Sequence, residues 1–317
     1  MNLKRAGRKT VLAGGLLLLT LTGTVPAAWA APVSVVVTTT IVGDVVGIVG
    51  GGEISLHILV PAGTDPHAFE PTPRDLVSMA DADMVFINGV GLEQALIPLL
   101  ESSGAVIVDL GTRIALRTLM PADEHASEDA DEHFEGGIDP HVWFDPTNVM
   151  IWTDQIAEAL SRADPEHKQL FADRAAGYRG ALAELDAWIW EQVSRVPREQ
   201  RKLVTDHAVL GYFAARYGFT QLGTVLPGFS SLAEASARDV ARLQDLIAAS
   251  GVSAIFVGQT ANAALPQQIA SDTGVSIVNL YTGALGEEGG PAADYLQMMR
   301  VNTTQIVEAL QREGGSG

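Results

Sequence analysis

Residues 164–197 read DPEHKQLFADRAAGYRGALAELDAWIWEQVSRVP. In this stretch Phe171, Ala175, Tyr178, Leu182, Leu185, Ile189, Val193 and Val196 recur at steps of four and three. That spacing lines one face of an α-helix with apolar side chains. Asp164 suits the N-cap, Pro165 the first helical position, and Pro197 stops the run. A helix of roughly thirty residues is about 45 Å long at 1.5 Å per residue. This is longer than one small domain, so the sequence predicts a rigid rod running along two domains and joining them. The same spacing also fits the seam of a coiled-coil dimer, a reading that the α/β patterns on either side disfavour.

On both sides of the rod, short β-branched runs alternate with helical ones. Before it, strands are predicted at Val33 to Thr39, Glu53 to Val60, Met84 to Asn88 and Ala105 to Asp109. Helices are predicted there at Ile41 to Val49, Pro73 to Ala80, Leu92 to Glu101 and Pro146 to Arg162. After it, strands are predicted at Lys202 to Thr205, Gln221 to Val225, Ala254 to Val257 and Ser276 to Leu280. The matching helices are Val209 to Tyr217, Ala237 to Ser250, Leu265 to Thr273 and Ala292 to Arg312. The expected fold is α/β, with two lobes of parallel sheet flanked by helices. Their bounds are 31–163 and 198–317, and the linking helix occupies 164–197. A chain of 317 residues that is 47% apolar can fill two such cores.

The tripeptide Asp-Pro-His occurs twice, at Asp65-Pro66-His67 and Asp139-Pro140-His141, and a third histidine follows an aspartate at Asp206-His207. Taken singly, Asp-Pro is turn chemistry. Three imidazoles, each beyond the end of an apolar run, instead suggest a metal site, because neutral imidazole binds zinc and its neighbours near pH 7. In open α/β sheets ligands bind beyond the carboxyl ends of strands, which sends His67, His141 and His207 to one cleft between the lobes. His57, inside a strand pattern, and His167, at the start of the rod, read as structural or solvated. Imidazoles with an ordinary pKa of about 6.5 would lose their metal to protons through about pH 6.

The first thirty residues read as a secretory signal peptide. Lys4, Arg5, Arg8 and Lys9 form its basic end, Val11 to Val25 its apolar core, and Ala28-Trp29-Ala30 its cleavage site. The chain has no cysteine. Disulfides, thiolate ligands and a lipid-bearing cysteine are thereby excluded, and the expected location is the periplasm, with no membrane insertion after the leader is removed. The formal charge of −18 argues against nucleic acid and anionic lipid as partners. Residues 123–135 place His125 and His133 among seven carboxylates, with no apolar periodicity. They read either as a loop that captures divalent cations weakly or as a solvated charge run.

These residues resemble the zinc and manganese receptors among the periplasmic substrate-binding proteins of ABC importers, and the resemblance covers essentially the whole mature chain. It is carried by Leu59-Val60-Pro61-Ala62-Gly63-Thr64-Asp65-Pro66-His67 and by Asp139-Pro140-His141-Val142-Trp143-Phe144-Asp145-Pro146. Thr205-Asp206-His207, Ala80-Asp81-Ala82-Asp83, Asn88-Gly89, Leu92-Glu93 and Gly289-Gly290-Pro291…Tyr295…Met299-Arg300…Asn302 also match. The resemblance implies that His67 and His141 are metal ligands and that His207 is the third. Histidine at 207, together with an acidic histidine-containing loop ahead of the second ligand, is similar to the zinc-type receptors. An ABC permease in the inner membrane is the implied partner.

The family pattern also places an aspartate ligand in a Tyr-x-Asp-x-x-Gly segment. Here that segment is Tyr281-Thr282-Gly283-Ala284-Leu285-Gly286, and Gly283 offers no donor. The fourth ligand is then water, or a carboxylate such as Glu287, Glu288 or a loop residue. With the family geometry kept, an aspartate at 283 would reach the metal and tighten binding. Three histidines with an open position is also the ligand set of a catalytic zinc, so a zinc hydrolase or hydratase stands as the alternative. A periplasmic zinc buffer or chaperone is a third reading. No His-Glu-x-x-His, Gly-x-Ser-x-Gly or Walker motif supports an enzyme.

Overall fold

The computed structural model describes residues 31–118 and 137–311. The signal-peptide reading of 1–30 and the acidic segment 123–135, with His125 and His133, lie outside the described residues. The chain forms two four-stranded sheets, parallel throughout. β1 (Val33–Val37), β2 (Ile54–Ile58), β3 (Met84–Ile87) and β4 (Val106–Asp109) pair in the order β2-β1-β3-β4. β5 (Lys202–Thr205), β6 (Thr220–Thr224), β7 (Ala254–Gly258) and β8 (Ser276–Leu280) repeat that order as β6-β5-β7-β8.

Helices α1 (Thr40–Gly50), α2 (Pro73–Ala80), α3 (Ile97–Ser102) and α4 (Pro146–Ala163) belong with the first sheet. After α5 (Lys168–Ser194) come α6 (Gly211–Tyr217), α7 (Ala237–Ser250), α8 (Ala264–Thr273) and α9 (Tyr295–Gln311). Strand alternation sorts the core. Val35, Val37, Met84 and Phe86 face the inner core, whereas Val36 and Val85 face the outer layer of α2 and α3. In the second sheet Ala254 and Phe256 face inward, while Ile255 and Val257 pack under α7 and α8.

The rod is α5. Its buried residues are Phe171, Ala175, Tyr178, Leu182, Leu185, Ile189 and Val193, and Val196 is buried just beyond its end. Gly177 and Gly180, with open space beside them, each cost the helix about 1 kcal/mol relative to alanine. Full burial of one leucine or isoleucine contributes about 1.5–3 kcal/mol, so packing outweighs propensity here. α5 packs on α1, α4 and α9, and a single inner core runs from the first sheet to the second.

Several boundaries differ from expectation, each for a local reason. Asp164 caps as expected, but Pro165–His167 form a separate tight turn before α5, which makes the rod 27 residues long, or about 40 Å. β1 stops before Thr39 because that side chain accepts the Val42 N–H and caps α1. α3 begins at Ile97, not Leu92, since Gln94–Leu96 form a separate tight 3-10 turn ahead of it. α9 starts after Asp294, whose carboxylate accepts the Gln297 N–H. Among the described residues, no helix is long and apolar enough to cross a membrane.

Candidate metal centre

The three predicted histidines arrive at one point from three chain segments. His67 lies in a tight turn after β2, and the Asp65 carboxylate accepts its N–H at 2.9 Å. His141 precedes a tight turn leading into α4. His207 stands two residues beyond β5, and its own carbonyl accepts the Thr205 hydroxyl at 2.6 Å. The ring centroids form a nearly equilateral triangle, with sides of 5.3, 5.5 and 5.2 Å. One nitrogen from each lies within 4.8 Å of the others, and among the described residues this is the only such group of potential metal donors. His57 and His167 are elsewhere; His167 bonds Asp164 at 2.6 Å on the surface.

Two aspartates aim two of the rings. Asp139 accepts both the backbone N–H of His141 at 3.0 Å and its Nδ1 proton at 2.8 Å. Asp206 does the same for His207, at 2.8 and 3.0 Å, while its second oxygen accepts the Gly258 N–H. With Nδ1 protonated, Nε2 of each ring carries a lone pair toward the centre. Carboxylates behind metal-binding imidazoles fix tautomer and orientation in this way. From the sequence, Asp139 offered only the turn chemistry of Asp-Pro and Asp206 no role of its own; adjacency to histidine was the available signal. Asp65 behaves differently, since its other oxygen takes the Ser231 hydroxyl from the opposite lobe.

The Nε2 atoms of His67 and His141 are 3.2 Å apart. Tetrahedral bonds of about 2.0–2.1 Å place ligand nitrogens roughly 3.3–3.4 Å from one another, so this spacing needs almost no adjustment to hold an ion. Nε2 of His207 is buried without any hydrogen-bond partner. An orphaned lone pair in the interior is costly, and an ion at the centre would satisfy it. The space between the rings is about 10 Å³, which admits one water-sized particle and no organic molecule. Asp65, Thr260, Thr282 and Gly283 also line it.

Glu287 and Glu288 do not line the cavity. Gly283 has no room for the expected ligand without movement, because a Cβ there would lie 2.6 Å from Cδ of Pro66 and 3.1 Å from its Cγ. The obstacle is space, not backbone angle.

Burial holds His67 down to about 4, with the neighbouring His207 adding to the effect. Burial likewise holds His141 well below the usual imidazole range, reinforced by His207 and His67. Both rings are therefore held neutral at pH 7, the form that binds a metal ion. Proton competition sets in only as pH approaches the metal-free pKa. Zinc affinity is expected to fall on acidification as protons compete for the imidazoles; an affinity unchanged down to about pH 4 would contradict a histidine site.

Stability gives a less direct test. Lowered histidines contribute stability that is present above about pH 6.5 and lost as pH falls through about 4. Burial raises Asp139 and Glu93 to about 7, and these groups act in the opposite direction, losing stability as pH rises from about 4 to 7. Asp206 is also pushed up by burial, but its bonds from His207 and Gly258 outweigh this and hold it below the usual carboxylate range.

Comparison with known proteins shows the family of the chain. Residues 35–309 match the family described as zinc-uptake complex component A, periplasmic. The manganese-binding lipoprotein MntA of Halalkalibacterium halodurans is 33% identical over 280 residues, with 88% of each chain covered. The iron-binding protein YfeA of Yersinia pestis is 28% identical, covering 86% of this chain and 85% of that one. Among solved structures, the periplasmic zinc-binding protein TroA from Treponema pallidum superposes with a TM-score of 0.77 at 28% identity. That match covers 89% of this chain and 99% of TroA.

Proposed function

This chain belongs to the family of periplasmic component A of zinc-uptake complexes, and from that premise we propose that it captures zinc and delivers it to an ABC permease. The family comprises metal-binding substrate-binding proteins of ABC transporters, which work with a membrane permease and are not enzymes, so the hydrolase alternative falls away. The choice of zinc, and of His67, His141 and His207 as its ligands, is our own reading. It rests on one observation: two imidazole nitrogens 3.2 Å apart and a third orphaned beside them. An all-nitrogen donor set suits zinc, whereas manganese favours carboxylate and carbonyl oxygen.

In this reading water fills the fourth position: Gly283 has no side chain, neither Glu287 nor Glu288 lines the cavity, and Asp65, which does, is engaged by the His67 N–H and the Ser231 hydroxyl. The linking helix at 164–197, between lobes at 31–163 and 198–317, limits capture and release to small shifts. Wide hinge closure would break the core shared by both lobes. Residues 1–30 serve in this reading as a removable signal peptide that directs the protein to the periplasm. His125 and His133 serve as weak auxiliary acceptors.

The names of the relatives include manganese and iron, so metal preference is the point to test. Competition between zinc and manganese for protein stripped of metal is expected to return a lower Kd for zinc. Manganese binding as tight as zinc would overturn the zinc assignment and leave the receptor role standing.

A further inference from the structure

Glu93 is a buried carboxylate remote from solvent, and it is committed to one turn. Its Oε1 accepts the Thr38 hydroxyl at 2.8 Å and the Asn88 N–H at 2.7 Å. Its Oε2 accepts the Gly89 N–H at 3.0 Å. The turn it holds is an unusual one. Gly89, Val90 and Gly91 have φ of 77°, 56° and 84°, and Val90 is the one non-glycine residue with positive φ among the described residues. A β-branched residue in the left-handed region is strained, and such strain persists only where the surroundings impose it.

The strained turn presents the side chain of Asn88. Its amide nitrogen donates to the Gly89 carbonyl at 2.8 Å and to the Pro140 carbonyl at 3.0 Å. The Pro140 carbonyl also accepts the Val142 N–H at 2.9 Å, closing a three-residue turn with His141 at its centre. His141 has φ −84° and ψ 46°, near the inverse γ-turn. Asp139 fixes the ring of His141, and Asn88 fixes the peptide that carries it.

We propose that Asn88, clamped by Glu93, is a positioning residue for metal capture: it holds the Pro140 carbonyl so that His141 meets the ion already in place. This rests on the assignment of His141 as a ligand. A site loses affinity when its supporting groups let a ligand drift by fractions of an ångström. Groups that orient ligands from behind typically contribute about 10–100-fold in metal affinity.

The test uses the full mature chain as wild type, Asn88→Ala, Glu93→Gln, His141→Ala and the Asn88→Ala/His141→Ala double variant. Zinc Kd is measured by titration, and the visible absorption of the Co²⁺-loaded protein reports coordination geometry. Metal-free circular dichroism and melting establish that each variant is folded. Asn88→Ala is expected to weaken zinc about tenfold and to change the Co²⁺ bands. Glu93→Gln keeps one acceptor oxygen but turns an amide against the Gly89 N–H, so it should shift both readouts the same way by less. In the His141→Ala background, Asn88→Ala should add nothing, because it acts through the residue already removed.

A folded Asn88→Ala protein with wild-type affinity and spectrum would overturn the proposal, as would a fully additive loss in the double variant. If Asn88→Ala does not fold, wild-type affinity and spectrum in Glu93→Gln would overturn it instead. Failure of the wild type to bind zinc or cobalt at all would overturn the receptor reading itself, a distinguishable result.

Discussion

Alanine at His141 is expected to weaken zinc binding a hundredfold or more, and alanine at His207 by a similar factor. A protein site of four ligands contributes roughly 10–16 kcal/mol, or about 3 kcal/mol for each ligand, and 1.4 kcal/mol is tenfold in affinity. No fourth His, Cys, Asp or Glu joins the group of three among the described residues, so no such side chain stands ready in place of the lost one. The variants also leave Asp139 or Asp206 buried without the imidazole proton each accepts, so metal-free stability should fall too. Alanine at His57 or His167 should leave zinc affinity unchanged. Titration against a competing chelator measures all four, and a His141→Ala or His207→Ala protein that still binds like the wild type would refute the ligand set.

Gly283→Asp, which on family pattern should supply the missing carboxylate, is expected instead to weaken zinc binding by tenfold or more. The new Cβ would sit 2.6 Å from the Pro66 ring, well inside van der Waals contact. A proline ring is part of the backbone and cannot rotate aside, so relief needs a backbone shift at 283 or at 65–67, and the latter would carry His67 with it. Overpacking of this kind typically costs about 1–3 kcal/mol even before any ligand is displaced. The same clash would strain Asp65, which holds both the His67 N–H and the Ser231 hydroxyl across the cleft. The chelator titration checks this as well; tighter binding in the variant would mean that the loop yields and the family geometry is recovered.

The two outcomes show where sequence reading reached its limit. The rod was legible because steps of four and three from Phe171 to Val196 have one helical solution, and those eight side chains are buried. The parallel sheets were legible from β-branched runs such as Val33–Val37, set between helical stretches. The meeting of His67, His141 and His207 was legible because all three lie beyond strand ends in an open α/β fold. The work of the carboxylates was not. Asp65 and Asp139 stand in the same tripeptide, yet one reaches across the cleft to Ser231 and the other turns back onto its own imidazole. That difference is set by what packs above each turn, which no local pattern encodes.

The cramped setting of Gly283 was hidden for the same reason, since Pro66 lies far away in sequence and touches it only after folding. The burial that holds His67 and His141 neutral was hidden as well, since the ordinary imidazole pKa applies to a solvated ring. The unusual turn at residues 89–91 was marked only by two glycines flanking a valine. Its link to Pro140 joins segments some fifty residues apart and becomes visible only in three dimensions.

The central claim is that three imidazoles hold the transported ion as zinc. X-ray absorption at the zinc edge, on protein loaded with one equivalent, tests it most directly. The expected result is a four-coordinate ion with nitrogen or oxygen neighbours at about 2.0–2.1 Å and the outer-shell scattering of three histidine rings. A six-coordinate oxygen shell, or scattering from fewer than three imidazoles, would contradict it.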